Sequence, residues 1–376
     1  MIDKEVVKSK ESKINELSEN IFNKKAKDIK YLYVTNYIHR QLLEEEITRT
    51  GLYQWLNVFN GEIHYPREVL DYEKYDIVQV NMSTQDIHLV GNIHEQLGKN
   101  SQTKLVVNND YTTELWGRSF DFPSTIKREI SGADMLFGTE YFMTSAVSEL
   151  AGRKCYVIPH PADIKRLKSL PTKPVKNLIT SIWRRYDNFS YVPYLVVRNQ
   201  GLTTQLIGYD KSIDPKVFLT TALYDYVLQG TNYFEFCNQL RESKVVYDPF
   251  TLHSYSRAGV DCAALGVPVV GSNRNQSINN CYPFTSIDPY DVTNGRKLIR
   301  KILDDEQFRQ KVVDTAREKS EFYNHINSRE RYLTALDESL NSKKSEITSR
   351  VERKDLARGI GADVLSLRAD EITKKS

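Results

Sequence analysis

Hydrophobic residues in this chain gather into short, near-continuous runs, and each run is followed by a longer stretch of mixed pattern. Tyr31–Asn36, Asp76–Ser83, Lys104–Asp110, Ala133–Thr139 and Cys155–His160 form one series. Asn177–Trp183, Thr204–Tyr209, Asp225–Gln229, Lys244–Tyr247 and Val267–Gly271 form a second. Runs of this length without strict alternation are strands buried on both faces, which is the mark of a parallel sheet covered by helices. The intervening stretches at Gln41–Thr50, Ile87–Leu97, Glu140–Leu150, Tyr233–Arg241 and Arg257–Leu265 carry helical periodicity. The pattern predicts an α/β protein of two doubly wound, Rossmann-like domains facing a cleft, with helical extensions at both ends.

Punctuation divides the chain further. Pro159, Pro161, Pro171 and Pro174 lie close together and read as a connection between domains. The expected division is an N-terminal helical extension over 1–29, a first domain over 30–170 and a second over 171–318. A helix over 319–340 and a charged tail over 341–376 complete it. Ile14, Leu17 and Ile21 give the first segment a thin apolar stripe, suited to packing on a domain surface.

Composition adds exclusions. The 376 residues exceed one usual core, and 40% hydrophobic with 27% charged residues is ordinary for a globular protein. No apolar run is long enough to span a bilayer and the N-terminus lacks a signal-peptide core, so a cytoplasmic location is expected. Cys155, Cys237, Cys262 and Cys281 are far apart and show no metal-ligand spacing; no metal is expected. A net charge of +3 from 52 basic and 49 acidic residues neither demands nor excludes nucleic acid.

The most informative segment is Lys244–Asn273. It reads as strand, polar loop, helix and Gly-Val-Pro turn, then strand. The loop His253-Ser254-Tyr255-Ser256-Arg257 opens directly into a helix, whose first amides and dipole favour a phosphate. Ser254, Ser256 and Arg257 stand where they would grip such an anion, and Asp261, one turn on, would take a ribose diol. Asp110, ending a strand of the first domain, faces the cleft as a candidate base for an acceptor hydroxyl, or caps the next helix. His39 and His160 read as surface or structural histidines.

Several stretches together resemble a GT-B glycosyltransferase, of the retaining family that includes sucrose and glycogen synthases and many lipopolysaccharide transferases. They are Ala133–Val147, Val157–Leu167, Leu178–Tyr186, Phe236–Asn273 and Phe322–Leu336. The resemblance implies a metal-independent transferase without a resident cofactor, whose co-substrate is a nucleotide sugar, a UDP-sugar foremost. Two family glutamates eight positions apart match His253, at the donor sugar, and Asp261, at the ribose. The family's arginine at the diphosphate matches Arg184 or Arg185. Tyr209, Asp248 and Tyr255 fall where the fold surrounds the nucleotide. The glycine-rich loop after the first strand is replaced by Thr35-Asn36-Tyr37. The implied acceptor is a glycan or lipid-linked sugar, with a hydroxymethylated DNA base as the minority choice. A nucleotide-sugar epimerase of similar architecture and an inactive scaffold serving as a binding module are the competing readings.

Overall fold

A computed structural model describes residues 4–35, 51–65, 70–82, 86–98, 101–110, 122–171, 173–182, 192–207, 223–228 and 232–348. The expected helix Gln41–Thr50 falls outside them. Among the described residues, those up to Asp337 form one compact unit that holds both sheets, and those from Glu338 onward belong to a second.

Two six-stranded sheets are present, each parallel throughout. The first contains β1 (Tyr31–Val34), β2 (Glu62–His64), β3 (Ile77–Asn81), β4 (Lys104–Asn109), β5 (Met135–Gly138) and β6 (Tyr156–Val157), in the order β2-β1-β3-β4-β5-β6. The second contains β7 (Leu178–Ile182), β8 (Thr203–Ile207), β9 (Tyr226–Leu228), β10 (Val245–Asp248), β11 (Val269–Ser272) and β12 (Ser286–Ile287). Its order is β12-β11-β10-β7-β8-β9. The central strands are buried along their whole length, as expected of strands covered on both faces. Each sheet reverses its winding once, between β1 and β3 and between β7 and β10. In such sheets a ligand crevice opens beyond the carboxyl ends of the strands at the reversal.

Local signals set the helices. Asn232 and Glu235 make a reciprocal capping box at the start of Tyr233–Arg241. Glu140 accepts from the amides of Phe142 and Met143 at the start of Tyr141–Ala151. Gly152 and Gly266 close two helices with positive φ, a conformation that favours glycine.

One buried polar chain in the first sheet answers to a helix far along the sequence. Asn108 Nδ2 donates to Asn81 Oδ1 at 2.9 Å, and Gln79 Nε2 donates to Asn108 Oδ1 at 2.9 Å. Tyr332, in the helix His325–Thr348, then donates to Gln79 Oε1 at 3.1 Å. Around that hydroxyl the Tyr332 ring lies 5.1 Å from Trp55, 5.0 Å from Phe59 and 5.6 Å from Phe137. The aromatic contacts supply burial, while the polar chain fixes one position for the helix. The same helix reaches the N-terminal helix Lys4–Phe22 through Lys13 and Glu330, 2.8 Å apart.

At the start of this helix His325 Nε2 lies 2.9 Å from Gln54 Oε1. Burial pushes the His325 pKa down; nearby Asp163 opposes the shift and Arg257 adds to it. The folded value is therefore below the unfolded value of about 6.5, and between the two the unfolded chain binds more protons. This contribution to stability is complete above about pH 6.5 and is lost as the pH falls through the folded value. Thermal melts from pH 7 to pH 5 are expected to show a decline in Tm that His325→Gln makes shallower; parallel declines would refute the assignment.

Candidate active site

At its reversal the second sheet places Asp248, buried and the last residue of β10, at the carboxyl end of the strands. The loop that follows enters the helix Arg257–Leu265 through Ser256, whose φ is +53°. A left-handed serine costs on the order of 1–3 kcal/mol and persists only where its surroundings fix it. Ser256 Oγ donates to Asp248 Oδ2 at 2.5 Å, its amide donates to Ser254 Oγ at 3.1 Å, and its carbonyl accepts from Ser277 Oγ at 2.6 Å. Ser254, Ser256 and Asp248 are thus brought together at the start of a helix that is buried along its whole length.

Arg257 and Asp261 meet, but not as an open anion and ribose site. Arg257 Nε donates to Asp261 Oδ1 at 2.8 Å, Nη1 to the Pro161 carbonyl at 3.1 Å and Nη2 to the Tyr233 hydroxyl at 3.3 Å. Tyr233 donates in turn to Asp261 Oδ1 at 2.8 Å. Asp261 has no exposed surface and Arg257 is 8% exposed. Burial works against the guanidinium charge, but Asp261, Tyr233 and Tyr255 outweigh it and hold the Arg257 pKa above the usual arginine range. Arg257, expected at a phosphate, and Asp261, expected at a ribose, bond to each other here: Arg257 reaches one turn along its own helix and sideways to the connecting segment. Tyr255, expected at the nucleotide, is likewise a strut. It is buried, and its hydroxyl donates to the His160 carbonyl at 2.8 Å.

The first sheet contributes Asp110, the residue after β4. Its Oδ1 lies 3.1 Å from His160 Nε2. That separation is within contact distance, although the Nε2–H does not point along the line of a well-formed hydrogen bond. Trp55 Nε1 donates to His160 Nδ1 at 3.1 Å, which leaves the imidazole proton on Nε2, toward Asp110. The His160 ring is buried, whereas the Asp110 side chain keeps about a third of its surface exposed. Trp55, His160 and Asp110 form a line from the core to the crevice. The position of His160 between two prolines suggested only a structural residue; nothing in the local sequence places it beside Asp110.

His253 stacks on Phe142, ring centroids 4.3 Å apart and planes 17° from parallel. A residue beside the second sheet thereby meets the first turn of a helix that follows β5. Two further residues border the loop that sequence reasoning passed over. Asn275 has no exposed surface, forms a parallel bridge with Ser254, and has neither side-chain atom hydrogen-bonded. An unpaired buried amide costs about 1–3 kcal/mol. Arg274 accepts from the Ser254 amide through its carbonyl, and its Nη1 donates to the Thr251 carbonyl. Arg184, Arg185 and Tyr209 lie outside the described residues. Among the described residues no group of three His, Cys, Asp or Glu side chains is placed to hold a metal.

Solved structures match this architecture. HepE from Anabaena, in complex with UDP, has a TM-score of 0.61 at 12% identity over 82% of this chain and 99% of its own. The N-terminal domain of Candida albicans trehalose-6-phosphate phosphatase has a TM-score of 0.61 at 10% identity, over 82% of this chain and 97% of its own. A trehalose-6-phosphate structure from E. coli bound with UDP-2-fluoro glucose has a TM-score of 0.61 at 10% identity, over 82% and 98%. No family model and no curated protein sequence matches the chain. The likeness establishes the fold, which is the GT-B fold of glycosyltransferases.

Because the Arg257–Asp261 pair is buried, removing one partner strands a charge. Arg257→Met alone is expected to cost about 3–5 kcal/mol of unfolding free energy, and Arg257→Met with Asp261→Leu to recover much of it. Urea denaturation of the single and double variants checks this; additive losses would show that the pair is not coupled.

Proposed function

We propose that this protein transfers a sugar from a UDP-sugar to a hydroxyl of a carbohydrate acceptor. The observation that carries the reading is the meeting, in one crevice, of a carboxylate from the first sheet with a strained, polar helix start from the second. Asp110 and His160 stand on one side. Ser254, Ser256, Asn275 and the first amides of Arg257–Leu265 stand on the other, joined to them by the bond from Tyr255 to the His160 carbonyl. UDP-bearing structures of the same fold agree with a nucleotide-sugar partner.

Each group has a part in that reaction. The bond from the anomeric carbon to the diphosphate oxygen breaks through an oxocarbenium-like transition state, and negative charge grows on the leaving group. The helix start and the Asn275 amide stabilise that charge, with Arg274 as the neighbouring cation in place of Arg257. Asp110 takes the proton of the acceptor hydroxyl. His160, held by Trp55, is a positioning residue that keeps the Asp110 carboxylate turned toward the crevice. The stacked pair of Phe142, 45% exposed, and His253 offers a flat apolar face for an acceptor sugar ring. This face favours a carbohydrate over a DNA base, which would need a basic groove beside it.

Binding is tested first. Calorimetry with UDP is expected to show a single site, and Arg274→Gln to weaken it about tenfold, the loss of one charge-assisted contact. No heat with UDP or any UDP-sugar would remove the donor assignment. Chemistry is tested next, by UDP release from UDP-glucose with a panel of sugar acceptors. Asp110→Asn is expected to slow release at least about 100-fold with UDP affinity kept. His160→Ala is expected to lower kcat about tenfold with KM little changed, the pattern of a positioning residue. Normal turnover in Asp110→Asn would exclude it as the base.

A further inference from the structure

At the other end of the strands of the second sheet, below the amino ends of β10 and β11, the chain forms a half-open cavity of about 420 Å³. That is the size of a small-molecule site. Six cationic residues line it, Lys168, Lys173, Arg241, Lys244, Arg309 and Arg317, and no carboxylate does.

The surrounding structure accounts for only part of this charge. Three helices end here, Ile164–Ser169, Tyr233–Arg241 and Arg257–Leu265, and the negative end of each helix dipole favours a nearby cation. One cation at each end would satisfy that preference. Lys168 reaches Glu321 at 2.6 Å and Arg309 reaches Glu306 at 2.6 Å, both partners lying outside the lining. Arg317 packs over Gly266, whose φ of +74° and missing side chain leave space for the guanidinium. Among the described residues Lys173, Lys244 and Arg317 form no ion pair with a carboxylate. Arg241 is 8% exposed, and although its terminal nitrogens bond to the Pro171 carbonyl and to Asn238, its Nε has no partner. A buried guanidinium with an unused N–H, in a ring of like charges, is costly unless an anion completes it.

We infer that this cavity binds a phosphate-bearing small molecule, at a site separate from the donor crevice. Arg241 and Arg317 present planar donors to the phosphate oxygens, and Lys173 and Lys244 add mobile charge at the rim. The aliphatic wall that includes Leu167 and Val267 meets whatever carries the phosphate. The site stands on its own lining and does not depend on the transferase reading. The two sites lie at opposite ends of the same strands, since Lys244 precedes β10 and Asp248 ends it.

Calorimetry with pyrophosphate and with a hexose phosphate tests the inference, each run with and without saturating UDP. The wild-type protein is expected to bind at least one of them with UDP present. Lys173→Gln with Lys244→Gln is expected to weaken that binding at least tenfold while leaving UDP affinity unchanged. These rim residues are used because Arg241→Gln endangers folding. Tighter binding of the hexose phosphate identifies an organic phosphate, and tighter binding of pyrophosphate an inorganic one. If UDP itself fails to bind, the donor reading falls, and the cavity is still judged by wild type against the double variant. Binding of neither probe, or equal affinity in the double variant, overturns the inference.

Discussion

The segment His160-Pro161-Ala162, which links the sheets, is held by three bonds from the second half of the chain. The Tyr255 hydroxyl donates to the His160 carbonyl, the Arg257 guanidinium donates to the Pro161 carbonyl, and the Ala162 amide donates to the Tyr323 carbonyl at 2.8 Å. Both carbonyls accept from side chains of the second half, and the prolines on either side of His160 fix φ on each side of it. The grip, together with the stacking of His253 on Phe142, sets the loop Ser254–Ser256 and the carboxylate of Asp110 in a common frame. The buried Arg257–Asp261 pair belongs to the same device. Its charge is retained because it anchors one donor to one carbonyl, a task that an apolar pair of similar volume would not perform.

Much of this architecture was legible in the sequence, for a physical reason. Strands buried on both faces need continuous apolar runs, and Tyr31–Val34, Ile77–Asn81 and Val245–Asp248 fall within the runs that predict them. The helices Ile87–Leu97, Tyr233–Arg241 and Arg257–Leu265 have the expected limits, set by periodicity and by glycine or capping residues at their ends. The edge strands Glu62–His64 and Ser286–Ile287 were not legible. They are three and two residues long and half exposed, so they carry no apolar run. The polar residues Gln79, Asn81 and Asn108 interrupt otherwise apolar strands, and their partner is Tyr332, some 250 positions away, beyond the reach of local pattern.

At the candidate site the positions of residues were legible in the sequence, and the directions of their side chains were not. The loop at Ser254–Ser256 and the carboxylate at Asp110 lie where strand ends in a doubly wound sheet put them, because topology fixes those positions. Side-chain direction is another matter. Arg257 follows a polar loop and begins a helix, and from sequence alone a forward reach toward an anion and a backward reach toward Asp261 look alike. The spacing of four that makes the second possible is common to many surface pairs. Only the burial of both residues distinguishes a strut from an open contact. Asn275 gave no signal because an unsatisfied amide is a property of the folded environment.

His160 carries two attachments at once, and they bind the halves of the crevice in a single linkage. Its carbonyl is fastened to the loop beside the second sheet, while its ring stands against Asp110 and is pinned by Trp55. The carbonyl follows the loop through Tyr255, and the imidazole is restrained by its bond from the indole. The carboxylate and the loop on the far wall are thus separated by one residue, with no helix or strand between them.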